Sequence, residues 1–376
     1  MSEHGTQTFS ITAEERAQWQ PLFQIAADIT RLSPWSWCKR DFCFGIWPLE
    51  EKEPTFVLFF DGPDPESHII RYLLGWRALF DFVTHSHSAV KPVRTWMLEI
   101  PMLEFSILPD PILFPFEAEF QTALGLWPEG RPARLPVFRA VRPGFHPWFP
   151  ILGELPLFRK LLYQTYGMML RLENAPPEYT NLPPGMVRIL RERKDGSWDD
   201  MFFPTVPFDD EGMEIRLKGK SLAKLKTMPL IPMAIQIDLA FLPIFSHLVP
   251  PPGSDMTIPF KRFAETPPLV NYAFVAVNAR NGELLGVEAL HADKGIEKMW
   301  GKAPELLFAL FERLKGCPEQ IEVTGERMGN LLHSLEVYLP FKLVMRDRLE
   351  AVEKMMERFQ RRVIEKSEEM EKGEGR

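Results

Sequence analysis

Proline constrains this chain more than any other residue: 36 of its 376 positions carry it, nearly twice the ~5% of ordinary proteins. Each proline fixes its own φ and pushes the residue before it away from helical geometry. They are scattered among aromatic residues rather than gathered in one tract, so short elements joined by stiff loops are expected. Hydrophobic residues at 45% and charged residues at 25% are ordinary globular values, and the length calls for two domains.

The best boundary is "ENAPPEYTNLPPG", residues 173–185, which holds four prolines and almost no large aliphatics. It separates an expected first domain, 1–172, from a second region, 186–376. The first opens on a capping box, Thr12 with Glu15, followed by Trp19, Leu22, Phe23, Ala26 and Ile29 at helical spacing. Strands are expected at "FCFGIW", "TFVLFF", Val93–Glu99, Leu103–Leu108 and Leu135–Val141. Helices are expected from about Pro65 to Val83, over Phe116–Leu124, and up to about Leu172. Strands and helices intermix without regular alternation, which reads as an α+β domain.

Beyond the linker, "MVRILRERKDGSWDDMFF" reads as a hairpin with Asp195-Gly196 at its turn, and "MEIRLKG" as a further strand. Then come a strand at Ile235–Leu239, a Pro-rich excursion, and paired strands at Ala273–Val277 and Glu283–Leu290. A helix (Pro304–Lys315), a strand (Gln320–Val323), a helix (Arg327–Leu335), a strand (Phe341–Met345) and a final helix from Asp347 complete the order. The last dozen residues are almost wholly polar, and they are expected to leave the core.

Net charge is −7. Residues 1–180 carry 16 basic and 21 acidic side chains, and residues 181–376 carry 28 and 30, so neither half is a basic module. Proteins that grip phosphates show a basic face, and a protein partner is expected in preference to nucleic acid. Cys38, Cys43 and Cys317 form no disulfide framework and no zinc spacing, as expected of free thiols in a reducing cytosol. The start, "MSEHGTQTFS", lacks the pattern of a signal peptide, and no window of 18 apolar residues exists. The expectation is a cytoplasmic protein with no membrane span.

In its order of elements the second half resembles the ribonuclease H-like fold of retroviral-type integrases and transposases. The stretches that carry the likeness are "IQID" (Ile235–Asp238), "VNARNGELLG" (Val277–Gly286) and "EVTGERMGNLL" (Glu322–Leu332). The resemblance implies an α/β ribonuclease H-like (integrase-like) domain with a mixed sheet, and a chemistry in which carboxylates from separate elements hold two divalent ions. Asp238 fits the first acid. Thr324 stands where the second should fall, and a hydroxyl does not bring the charge that Mg²⁺ requires. Glu322 and Glu326 flank that position, and Glu350, Glu353 and Glu357 on the final helix are available as a third. The expected outcome is a degenerate fold that binds or scaffolds, with no cofactor. The alternative is a metal-dependent nuclease using Asp238 with those glutamates and Mg²⁺. Asp238 also has a plain reading, as an acid at a strand end.

Other features are weaker. His85 and His87 read as loop residues without a third ligand, His146 as packed among aromatics, and Ser246-His247 lacks a triad partner. Trp35, Trp37, Trp47, Trp76 and Trp148 read as core before base-stacking platforms. The whole layout resembles an uncharacterised bacterial two-domain family, through Trp19, "PWSW", Phe44-Gly45 and "PVFRAVRPGFHPWF" (Pro136–Phe149). That likeness implies an architecture and no activity.

Overall fold

A computed structural model describes residues 9–38, 42–62, 67–86, 97–109, 115–127, 132–174, 182–183, 185–205, 223–224, 226–242, 258–336 and 338–373. The chain divides into two compact units. One holds residues 1–86, 97–209 and 246–268, and the other holds 87–96, 210–245 and 269–376. Among the described residues no helix is long and apolar enough to cross a membrane.

The first unit is built on a seven-stranded sheet. Its strands are β2 (Cys43–Trp47), β3 (Thr55–Asp61), β4 (His68–Leu74), β5 (Met102–Pro109), β6 (Arg134–Val141), β7 (Met186–Glu192) and β8 (Trp198–Pro204). They lie in the order β6-β5-β4-β3-β2-β7-β8, antiparallel except for the β2–β7 pair. Helix α1 (Ala13–Leu32) starts on the expected capping box, with both Thr12–Glu15 bonds made. With α4 (Leu155–Glu173) it covers one face, where Trp19, Tyr72, Phe105, Phe138 and Phe158 join a single aromatic core. Helix α2 (Trp76–Ser86) serves the other face, where Trp76 meets Phe56 and Phe82 meets Phe60. The Gln121 amide of the short α3 (Pro115–Ala123) donates to the Pro136 carbonyl.

Three expectations are corrected here. Residues 68–74 are strand β4, not the first half of a helix. Ile70, Tyr72 and Leu73 are buried within a sheet interior, where a strand covered on both faces loses the alternation that would identify it. Gly75, at φ 93°, turns the chain from that strand into α2. Residues 97–99 form a 3₁₀ turn rather than a strand end, and 93–96 lie outside the described residues. The hairpin β7–β8, expected with the second half, belongs to the first sheet. There Gly45 lies level with Ile189, and a Cβ at Gly45 would sit 2.9 Å from the Ile189 side chain. The linker expected at 173–185 therefore falls within one unit.

The Pro-rich excursion also returns to the first unit. Strand β1 (Phe9–Ser10) pairs with β10 (Ile258–Pro259), and α5 (Phe260–Ala264) delivers Phe260 and Phe263 to the aromatic core. The Phe260 ring stacks on Phe120 at 4.0 Å. The "PVFRAVRPGFHPWF" segment grips this return: the Trp148 indole donates to the Phe263 carbonyl (2.8 Å), and the His146 N–H donates to the Pro268 carbonyl (2.9 Å). Gly144, at φ 89°, makes the turn that brings Trp148 back to pair with Ala140.

The second unit is a five-stranded mixed sheet in the order β12-β11-β9-β13-β14. Its strands are β9 (Leu230–Leu242), β11 (Asn271–Asn278), β12 (Leu284–His291), β13 (Cys317–Val323) and β14 (Lys342–Met345). β9, β11 and β12 run antiparallel in succession, while β13 is parallel to both β9 and β14. Helices α6 (Ile296–Trp300), α7 (Ala303–Leu314) and α8 (Glu326–Glu336) come between strands, and α9 (Glu350–Gly373) follows. Ala276 and Gly286 lie on the face beneath Leu310 and Arg313 of α7. The opposite face carries Ala240, Ala273, Val275 and Val277, and it packs against Leu349, just before α9, and against Ala351 and Val352 of α9. Residues 213–219, expected as a strand, lie outside the described residues.

Candidate functional site

The face of the second sheet beneath α9 carries the residues that the acid chemistry would need. Side chains alternate along a strand, so Gln236, Asp238 and Ala240 share this face of β9, and Gln320 and Glu322 share it on β13. The register sets Glu322 level with Gln236. That is the last pair of the two strands, and the buried Thr324 follows just past the end of β13.

Glu322 is buried and its two oxygens are engaged. Gln236 Nε2 donates to Oε2 at 2.9 Å, Gln320 Nε2 donates to Oε1 at 2.7 Å, and Arg346 Nη2 donates to Oε1 at 2.6 Å. Burial by itself would raise the Glu322 pKa. The Arg346 and Gln236 bonds, the Arg346 charge and the Gln320 bond outweigh it, and the carboxyl titrates below the ordinary range. Gln236 then reaches further: its Oε1 accepts the backbone N–H of Ala351 at 2.8 Å and of Val352 at 3.4 Å. Those are orphan donors of the first turn of α9, so one amide ties β9, β13 and the last helix together.

Asp238 is half-buried, and its Oδ1 accepts the N–H of the next residue, Leu239, at 2.9 Å. The bond is to local backbone, but Asp238 is not at a strand end as expected: β9 runs on to Leu242, and Asp238 pairs within it with Val275 of β11. Glu350 is exposed, 3.8 Å from Lys354. Glu353 receives the Arg348 guanidinium through both oxygens, at 3.3 and 3.2 Å, and Glu357 is exposed. Glu326 opens α8, but its side chain lies outside the described residues. Among the described residues no three His, Cys, Asp or Glu side chains gather closely enough to hold a metal ion.

The candidates thus divide. Glu322 sits at the centre of a polar cluster, while Asp238 and the α9 glutamates are not brought to it. Gln236, Gln320 and Arg346 are the members that sequence reasoning passed over. A signal for two of them was present: Gln236/Asp238 and Gln320/Glu322 are polar pairs two apart inside apolar strands, a spacing that puts each pair on one face.

A second buried carboxylate lies in the first unit, on the α2 face of its sheet. Glu104 accepts from Arg71 Nε at 3.0 Å and from Ser106 Oγ at 3.0 Å, and Arg139 lies 3.9 Å away. Arg139 in turn grips Glu117 of α3 through two bonds, at 2.7 and 2.9 Å. Burial pushes the Glu104 pKa up, but Arg71 and Arg139 more than offset it, and the carboxyl stays below its usual value. His146 is buried, and burial holds its imidazole below the ordinary pKa. The His85 side chain, His87, Ser246 and His247 lie outside the described residues. Trp148 is core, Trp35 stacks on His68 at 4.3 Å, and Trp47 lies under the Arg191 guanidinium. One ring face is thus taken on each of Trp35 and Trp47, whereas Trp37, expected in the core, is exposed.

No curated protein and no solved structure matches this chain. Residues 19–187 match a domain of unknown function, DUF7309, and residues 221–360 match another, DUF6930. This pairing fits an uncharacterised two-domain family.

Proposed function

We propose that this is a non-catalytic, cytoplasmic binding or scaffold protein of bacterial type, whose second unit is a degenerate ribonuclease H-like (integrase-like) domain. The strand order supports the fold reading: three antiparallel strands, with the first also bordering a parallel pair, follow the element order of that fold. The observation that carries the functional reading is the engagement of Glu322. Its charge is met by Arg346, and its oxygens are bonded to Gln236 and Gln320. Two-metal chemistry needs carboxylates with unmet negative charge facing one another. Here a guanidinium already answers the buried acid, and Thr324, just past the end of β13, brings no charge. Net charge of −7 favours a protein partner over nucleic acid. The test is incubation with single- and double-stranded DNA and RNA in Mg²⁺ and in Mn²⁺. No cleavage above a buffer control is expected. Cleavage that disappears in Asp238→Ala would establish the nuclease alternative instead.

A further inference from the structure

Sheet edges offer unpaired backbone groups, and single chains defend them with proline, charged side chains, short strands or caps. Three edges of the two large sheets are defended in this way. β6 has Pro136 inside it and meets Trp148 on its outer side at Ala140. β8 carries Asp199 and Asp200 and ends in Pro204. β14 is four residues long, starts on Lys342, and gives its Leu343 N–H to Glu336. β12 differs: it has eight residues with neither proline nor lysine, and among the described residues no strand pairs beyond it.

Side chains alternate along the strand, and the register with β11 assigns them to faces. Val287 stands beside Val275, on the face that α9 covers further in, and it is 57% exposed. On the opposite face Gly286 stands beside Ala276, and Glu288 beside Phe274. Arg313 of α7 lies over Gly286, its Nη2 2.7 Å from where a Cβ would be, and donates to the Leu285 carbonyl. Arg313 and Glu288 are both exposed, and among the described residues neither has an opposite charge to pair with.

We propose that β12 pairs antiparallel with β12 of a second copy of this chain, about a two-fold axis at Val287, joining the two five-stranded sheets into one. Charge complementarity selects this occupant. Directly opposed residues of such a pair lie about 5 Å apart on one face. With Val287 facing Val287, Glu288 of each copy faces Gly286 of the other, beneath the unmatched Arg313 guanidinium. The axis makes that ion pair twice and covers the exposed valine with its own image. A centre at Glu288 would set the two glutamates together. A centre at Gly286 would bring the register break between Leu284 and Gly286 into the middle of the contact.

Sedimentation of the full chain at tens of micromolar is expected to give twice the 43.5 kDa chain mass, with a dimer that weakens as salt rises. Val287→Lys sets ammonium against ammonium at the axis and should be monomeric with unchanged circular dichroism. E288R and R313E should each be monomeric alone, and mixing the two should restore the dimer, because both cross-axis pairs are then opposite in charge. An ion pair within one chain would not be rescued by mixing. Register is read separately: under mild oxidation Val287→Cys should self-link faster than wild type or Ala289→Cys. A wild-type chain that stays monomeric would overturn the proposal and leave this edge to a strand of another protein. A dimer indifferent to Val287→Lys, a mixture of E288R and R313E that stays monomeric, or preferential Ala289→Cys self-linkage would also overturn it.

Discussion

Glu104 and Glu322 are both carboxylates buried on a sheet face, yet the two units answer their charge differently. Around Glu104 the set is closed. Two carboxylates face two guanidinium groups, and the side chains of Arg71 and Arg139 are only 14% and 15% exposed. Around Glu322 one carboxylate meets one guanidinium that is 47% exposed, plus two neutral amides. The first cluster binds strands β4, β5 and β6 to α3, and its members are shielded enough that none works without its partner. The second is more open and more modest, and its reach comes from Gln236, which passes from the acid to the first turn of α9. Neither leaves a surplus of negative charge, which a divalent site would require.

Removing a partner from the closed set should therefore cost most. Arg139→Met leaves Glu117 and Glu104 short of a cation in a shielded place, and about 3–5 kcal/mol of unfolding free energy should be lost in a urea titration. In the second unit, Gln236→Leu orphans the α9 donors and one Glu322 oxygen. About 1–3 kcal/mol should be lost, with the loss of amide protection concentrated in the first turn of α9. Arg346→Ala should cost less than Gln236→Leu, because a half-exposed ion pair is screened by solvent. Smallest of all, Asp238→Ala should fall within about 0.5 kcal/mol of wild type, since among the described residues its side chain bonds only to the adjacent backbone.

Acidity sharpens the same contrast. Glu104 and Glu322 titrate below their unfolded values, so their contribution is complete above about pH 4.3 and is lost as pH falls through the folded pKa. His146 is also depressed, by burial. The unfolded chain takes up that proton first, and stability should begin to fall below about pH 6.5. Thermal melts across pH 3–8 should show a shallow early loss, which His146→Phe removes, and a steeper acid loss, which Arg346→Ala reduces only in part because Glu104 remains.

Much of the fold could be read from local signals. The Thr12 capping box, the Asp195-Gly196 turn and the helical stripe of α9 are written in neighbouring residues. The failures are all long-range. Strand β4 carries apolar residues on both faces, Ile70 and Tyr72 on one and Ile69 and Leu73 on the other, so its seven residues show no clean alternation to set against a helix. Nothing near Met186 announces that its strand pairs with Cys43–Trp47, because the space left by Gly45 for Ile189 exists only once the strands meet. Phe260 and Phe263 look like ordinary loop aromatics until the Trp148 indole finds a carbonyl 115 residues away. At the site, the polar pairs Gln236/Asp238 and Gln320/Glu322 were legible as same-face residues. Arg346 as the counter-ion was not, because its role depends on β14 lying beside β13.

The most direct test is Mn²⁺ binding to the full chain, followed by electron paramagnetic resonance of the free ion and compared with Asp238→Ala and Glu322→Gln. If Glu322 is committed to Arg346 and the two glutamines, all three proteins should leave the free Mn²⁺ signal equally unchanged at millimolar metal. A saturable loss of signal in wild type that disappears in both variants would contradict this account and restore the carboxylate pair as a metal site.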